Sequence, residues 1–128
     1  MTFQYTHAFV TLAATDVENM VQFYTQLLDR EPTFQLQKVY AEFQLPGLRL
    51  GIFKPRDNHR FEFESSPQSG MSLCLEVDDL EGAIAHLTIL GYPPLGKITT
   101  ASHGREIYAY DPSKNRLILH QSSRKSYT

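Results

Sequence analysis

The 128-residue chain has a single cysteine, Cys74, and no tryptophan. One thiol excludes an intramolecular disulfide framework and points to a reducing compartment, so a cytoplasmic protein is expected. Long hydrophobic runs are missing. The early apolar stretch 8–14 stops at Thr15-Asp16, far short of the about 20 residues that cross a bilayer. No basic segment precedes it, so neither a membrane span nor a secretory signal is expected. Charge of one sign is not in excess either. Twelve Lys and Arg against fourteen Asp and Glu leave a formal charge of -2, which gives no field for a polyanion, and no nucleic-acid partner is expected. Gly-rich phosphate loops, paired-cysteine metal motifs and Ser-His-Asp signatures are also lacking. Their absence removes most nucleotide-dependent and zinc-ribbon readings.

The apolar share of 41% and the charged share of 20% are those of an ordinary globular protein. Seven tyrosines and eight phenylalanines point to a core or cavity rich in rings. The chain also repeats itself. The segment from Phe9 to Glu18 aligns with that from Ser72 to Glu81, an offset of 63 residues. In each, alternating apolar residues (Val10, Leu12, Ala14; Leu73, Leu75, Val77) lead to an Asp, an apolar residue and a Glu. That period of two predicts a strand with one buried face.

After each Asp the period changes to that of a helix. Val17, Met20, Val21, Tyr24, Leu27 and Leu28 form one stripe, and Leu80, Ala83, Ile84, Leu87 and Leu90 the other. Asp16 and Asp79 are suited to cap these helices, because a short carboxylate accepts orphan backbone N–H groups. Glu18 and Glu81 then sit in the first turn, where the helix dipole favours negative charge. Gly91 suits the left-handed residue that ends the second helix, and Pro32 and Pro93-Pro94 stop either from running on. Strands are expected at 33–37, 39–45 and 48–53, and again at 95–99, 105–110 and 117–121. Pro46-Gly47 and Asp111 to Asn115 are turns by composition.

The chain is therefore expected to be one α+β domain of two tandem βαβββ modules. Module one covers about 5–54, a linker or lid 55–70, and module two 71–121, with a frayed tail from 122. Curved mixed sheets are expected around a concave cleft. Val10, Leu12, Leu73, Leu75, Leu117 and Leu119 should meet the helices. His7, Phe9, Thr11, Ser72, Cys74, Glu76, Arg116, Ile118 and His120 should line the open side.

These features resemble the vicinal oxygen chelate superfamily, which includes glyoxalase I, extradiol dioxygenases and the fosfomycin- and bleomycin-resistance proteins. The carrying residues are Asp16-Val-Glu18 with Phe23-Tyr24 and Leu27-Leu28, then Leu75-Glu-Val-Asp-Asp79-Leu-Glu81, and Tyr110-Asp-Pro-Ser-Lys-Asn115-Arg-Leu, which is similar to the family's Asp-Pro-Asp-Gly-Asn turn. The resemblance implies a fold over residues 7–121 and a homodimer. It also implies a divalent metal held by His, Glu or Gln from the first and last strand of each module. Carried onto this chain, those positions are Phe9, Ser72, Ile118 and, within a residue or two, Gly51. A phenyl ring, a sec-butyl group and a hydrogen offer no lone pair, and a serine hydroxyl is a weak neutral ligand. No metal is expected at the usual positions, and no other cofactor is implied.

His7 and His120 share faces with Phe9 and Ile118 but lie two residues away, roughly 6–7 Å along a strand. They read either as bases or ligand contacts, or as hydrogen-bonded histidines at a cavity edge. Glu76 reads as a base raised by burial, or as the partner of Arg116 or Arg49. Both arginines can hold an anion through paired N–H donors or form cross-strand ion pairs. Tyr40 and Phe53 can stack on a planar ligand or simply pack, and Cys74 reads as a buried, inert thiol. His103-Gly104 reads as a loop.

The expected ligand-binding set is His7, Phe9, Tyr40, Arg49, Phe53, Ser72, Glu76, Arg116 and His120. Glu76, His7 and His120 are the catalytic candidates. The expected function is metal-free binding of a small organic molecule, as in the bleomycin-resistance proteins. The alternative is a divalent-metal lyase, isomerase or dioxygenase with replacement ligands such as His7, Glu76 and His120.

Overall fold

The computed structural model describes residues 2–64 and 68–123. It resolves two compact units, Met1–His59 and Arg60–Thr128, each with the same order of elements. Unit one runs β1 (Val10–Ala13), α1 (Val17–Leu28), β2 (Phe34–Leu36), β3 (Tyr40–Leu45) and β4 (Leu48–Phe53). Unit two runs β5 (Leu73–Glu76), α2 (Leu80–Leu90), β6 (Thr99–Ala101), β7 (Gly104–Tyr110) and β8 (Arg116–Ser122). The strand orders are β1-β4-β3-β2 and β5-β8-β7-β6. In each, the first strand pairs parallel with the last and the remaining pairs are antiparallel.

The sequence repeat is thus a structural one. Val10 and Leu73 open the first strands, and Val17 and Leu80 open the helices, at one common offset. Both caps form as the short carboxylates dictate. Asp16, at φ -139° and ψ 103°, accepts from the Asn19 N–H at 3.2 Å. Asp79, at φ -138° and ψ 95°, accepts from the Gly82 N–H at 3.0 Å. Gly91 ends α2 at φ 96°, and Asp29 takes the same left-handed role after α1 at φ 54°.

Alternation decides what each sheet buries. Leu50, Ile52, Ala41 and Phe43 of β4 and β3 are fully buried, against Met20 and Tyr24 of α1. The Tyr24 ring stands 6.4 Å from Phe43 and edge-on to Phe23 at 5.0 Å. In unit two, Leu117, Leu119, Ala109 and Ile107 are buried with Leu80 and Leu87 of α2. Each such Leu, Ile, Phe or Met side chain contributes about 1.5–3 kcal/mol, so these faces fix the register. The opposite faces are left for other work.

Several boundaries differ from expectation. The strand expected at 95–99 forms at Thr99–Ala101, because only there does the chain meet β7 in register, with Thr99 opposite Glu106. Part of the linker expected as loop or lid is an exposed 3-10 helix, Asp57–Phe63. Ser65, Ser66 and Pro67, and residues 124–128 of the tail expected to fray from 122, lie outside the described residues. Ser122 is not frayed but closes β8. Among the described residues, no helix is long and apolar enough to cross a membrane.

Candidate functional site

Each unit presents polar and aromatic side chains on the sheet face away from its helix. In unit one the ladder places Thr11 opposite Gly51, and Gly51 opposite Glu42. One pair back along β1 and β4, the Arg49 guanidinium lies over the Phe9 ring, 4.1 Å from its centroid. Arg49 Nε is buried without a hydrogen-bond partner, and Glu42 Oε2 stands 3.8 Å from it. The same carboxylate oxygen accepts from the Tyr40 hydroxyl at 2.9 Å. Burial and then Glu42 push the Tyr40 phenol above its ordinary value, so it stays a neutral donor.

Unit two repeats the scheme. Cys74 lies opposite Ile118, as Thr11 lies opposite Gly51. The ladders therefore make Gly51 the counterpart of Ile118, and Arg49 the counterpart of Arg116. Arg116 Nε donates to Ser72 Oγ at 2.6 Å, and its Nη2 donates to the carbonyls of Ser69 and Met71. Its guanidinium is 6.0 Å from the Tyr108 ring. In both units, then, an arginine from the last strand covers the position before the first strand, Phe9 in one and Ser72 in the other.

The four positions at which the family places its metal do not fit an ion. The Ser72 hydroxyl is engaged by Arg116. A side chain at Gly51 would put its Cβ 3.0 Å from Tyr40 Oη and 3.1 Å from Thr11 Cγ2. Phe9 and Ile118 supply only carbon. A cationic guanidinium beside each first-strand position opposes a cation further.

A second group of polar residues gathers at the other end of β8. Glu76, His120 and Glu106 lie in one row across β5, β8 and β7. His120 Nδ1 is 2.7 Å from Glu76 Oε1, while Glu76 Oε2 accepts from the Ser122 N–H at 2.7 Å. The His103 ring stacks on His120 at 5.3 Å and 19°.

Of the expected site residues, the structure joins Phe9 to Arg49, Tyr40 to Glu42 near Arg49, Ser72 to Arg116, and Glu76 to His120. His7 is exposed ahead of β1, outside any strand. Phe53 stands opposite Tyr40 on β4.

Two expectations are corrected. Glu76 pairs with neither arginine. The ladder sets it beside His120, and Arg116 is four residues back on β8, roughly 13 Å away. Cys74 is exposed rather than buried, since it lies on the face away from α2. Its thiol is still held above its ordinary value, first by partial desolvation of the sulfur and then by Glu76 and Glu106, which keeps it a poor nucleophile.

The sequence alone does not single out His103 or Glu106 as site residues. Counting outward from the Asp111–Asn115 turn would have found Glu106, since Tyr110 opposite Arg116 sets Glu106 opposite His120. His103 has no such signal, because a turn side chain reaches its neighbour by conformation and not by period.

The sequence profile of the Glyoxalase/Bleomycin resistance protein/Dioxygenase superfamily matches residues 6–119. No curated protein matches the chain. Among solved structures, a glyoxalase-related enzyme from Fulvimarina pelagi is similar at 18% identity and a TM-score of 0.73, over 92% of this chain and 89% of its own. The fosfomycin resistance protein FosX of Listeria monocytogenes is similar at 17% identity and a TM-score of 0.72, over 94% and 96%. Lactoylglutathione lyase from Agrobacterium tumefaciens is similar at 16% identity and a TM-score of 0.66, over 91% and 94%. Likeness at such identity speaks to the fold alone. With the duplicated βαβββ unit and a profile match over nearly its whole length, the chain belongs to the Glyoxalase/Bleomycin resistance protein/Dioxygenase superfamily.

Proposed function

We propose that this protein binds a small organic molecule with an anionic group and a planar or apolar body, without a metal at the family's usual positions. The observation that carries the reading is the Arg49 guanidinium, stacked on Phe9, whose buried Nε makes no hydrogen bond and has Glu42 Oε2 only at 3.8 Å. A buried donor without a partner costs about 1–3 kcal/mol. A carboxylate or phosphonate oxygen accepting from it recovers that cost, while Phe9 and the neutral Tyr40 hydroxyl take the ligand's body and polar edge. Arg116 offers a second cationic position, already oriented by Ser72 and two carbonyls. Two of the similar proteins are named for small molecules, fosfomycin and lactoylglutathione.

The test is calorimetry with a panel of planar aromatic carboxylates and phosphonates, each beside its neutral amide or ester. Binding of the anions alone, unchanged by a chelator and with the compound recovered intact by mass spectrometry, is expected. Arg49→Gln should weaken it at least tenfold, the loss of one charge-assisted bond of about 1.5–3 kcal/mol. Equal binding of neutral and anionic compounds overturns the reading. So does chelator-sensitive turnover of a hemithioacetal or catechol, which would favour the lyase, isomerase or dioxygenase alternative.

The setting is proposed as cytoplasmic, on the lone thiol of Cys74. A homodimer is proposed on the edge strands that end each sheet, which need covering. Analytical ultracentrifugation should find the dimer, and a monomer at all concentrations overturns it.

A further inference from the structure

We infer a binding site for a first-row transition-metal ion in the second unit, with His103, Glu106 and His120 as ligands and Glu76 as the residue that orients His120. One donor atom from each of the three ligands lies within 4.8 Å of the others. The site shares the sheet face of Arg116 but sits at the other end of β8, roughly 13 Å away, and uses none of the family's usual metal positions. Its nearest ligand, His120, lies two residues beyond Ile118, roughly 6–7 Å along β8.

The hydrogen bonds fix which nitrogen of His120 is available. Glu76 Oε1 can only accept, so the proton of a neutral His120 resides on Nδ1, 2.7 Å away. Nε2 then carries the lone pair. That atom is buried and has no hydrogen-bond partner among the described residues. Glu76 is itself held by the Ser122 N–H on its other oxygen. A carboxylate that holds one ring nitrogen while the other is left bare is the arrangement that prepares histidine to bind a metal.

The hairpin supplies the rest. Glu106 is the cross-strand partner of His120, and His103 stacks on its ring from the β6–β7 turn. Between them Gly104, at φ 149°, leaves room that a side chain would take, since a Cβ there would lie 3.0 Å from His120 Nε2. Metal–ligand bonds of about 2.0–2.2 Å set tetrahedral donor atoms roughly 3.3 Å apart. The observed group therefore needs to close by at most about 1.5 Å. Side-chain rotation of His103, an exposed turn residue, and of the half-buried Glu106 can supply this. Two imidazoles and one carboxylate select zinc or its first-row neighbours over calcium and magnesium, which prefer all-oxygen shells. Three protein ligands leave a position open.

The experiment uses the full chain without a histidine tag. Co2+ is titrated and followed by its visible absorption, then displaced by Zn2+, with calorimetry for stoichiometry and affinity. One ion per chain is expected, giving the ligand-field bands of a low-symmetry site. His103→Ala, Glu106→Gln and His120→Gln should each weaken it at least tenfold. Glu76→Gln should weaken it 10–100-fold while keeping the stoichiometry. His59→Ala should change nothing. His103→Ala alters only an exposed turn, so it reports on the ligand even if a β8 variant folds poorly. No saturable binding to the wild type, or binding unmoved by His103→Ala and Glu106→Gln, overturns the site. Either result leaves the arginine-based reading standing, because its assay runs in chelator.

Discussion

Gly104 is where the backbone of the second unit is least replaceable, and Gly104→Ala tests that directly. The residue opens β7 at φ 149°, a region that a side chain rarely enters. Forcing alanine there costs about 1–3 kcal/mol in backbone strain. The new Cβ would also lie 2.3 Å from the Gln121 carbonyl oxygen and 3.0 Å from Ser122 Cα. Both are backbone atoms of β8, so no side chain can swing aside, and the β7–β8 pairing must open locally. The sum is about 3 kcal/mol, which lowers the melting temperature by about 10 °C in a domain of this size. Gly96→Ala is the control. Nothing lies within 4 Å of its Cβ, and loss of chain entropy in the unfolded state makes it neutral or stabilising by up to about 1 kcal/mol. Scanning calorimetry on the pair decides the matter. A Gly104→Ala melt within 2–3 °C of wild type, about 1 kcal/mol or less, would refute the argument.

The Asp111–Asn115 turn yields two opposed predictions. Lys114 sits at φ 68°, where the family's turn carries glycine. Lys114→Gly should therefore stabilise by about 0.5–1 kcal/mol after glycine's entropic cost, read by urea denaturation. The Asp111 carboxylate is buried and accepts from the Ser113 and Asn115 N–H groups, each at 2.9 Å, and from Asn115 Nδ2. Asp111→Ala should cost about 2–4 kcal/mol in the same assay, since it strands those donors. A third prediction concerns acid. The two hydrogen bonds from Arg105 hold the Glu81 carboxyl down to about 2. This stabilisation is present above the unfolded carboxyl value of about 4.3 and is lost as pH falls from there toward 2. The wild-type melting temperature should drop more over that window than that of Glu81→Gln. The difference should be small because the pair is exposed, and parallel acid arms would count against it.

Much of the fold was legible because it rests on local rules. Asp16 and Asp79 announce helix starts by their chemistry, and the switch from period two to the helical stripe marks each strand–helix boundary. The shared offset made the duplication visible without any contact being known. The misplaced strand near residue 99 was not legible, since Thr99–Ala101 carries no alternation and is a strand only through pairing with β7. The site divides in the same way. Phe9, Arg49, Ser72 and Arg116 follow from strand faces read one at a time. The His103–Glu106–His120 group depends on register across β7 and β8 and on a turn residue folding back. Glu76 was singled out, but its partner depended on which residue of β8 stood opposite.

Anomalous diffraction at the zinc edge, from crystals of the tag-free protein grown with Zn2+, tests most directly that the inherited ion positions have been given over to arginine. A peak among His103, Glu106 and His120, and none against Ser72, Gly51, Ile118 or Phe9, is the predicted result. An ion coordinated at Ser72 or beside Gly51, with Arg116 or Arg49 swung away, would contradict the account.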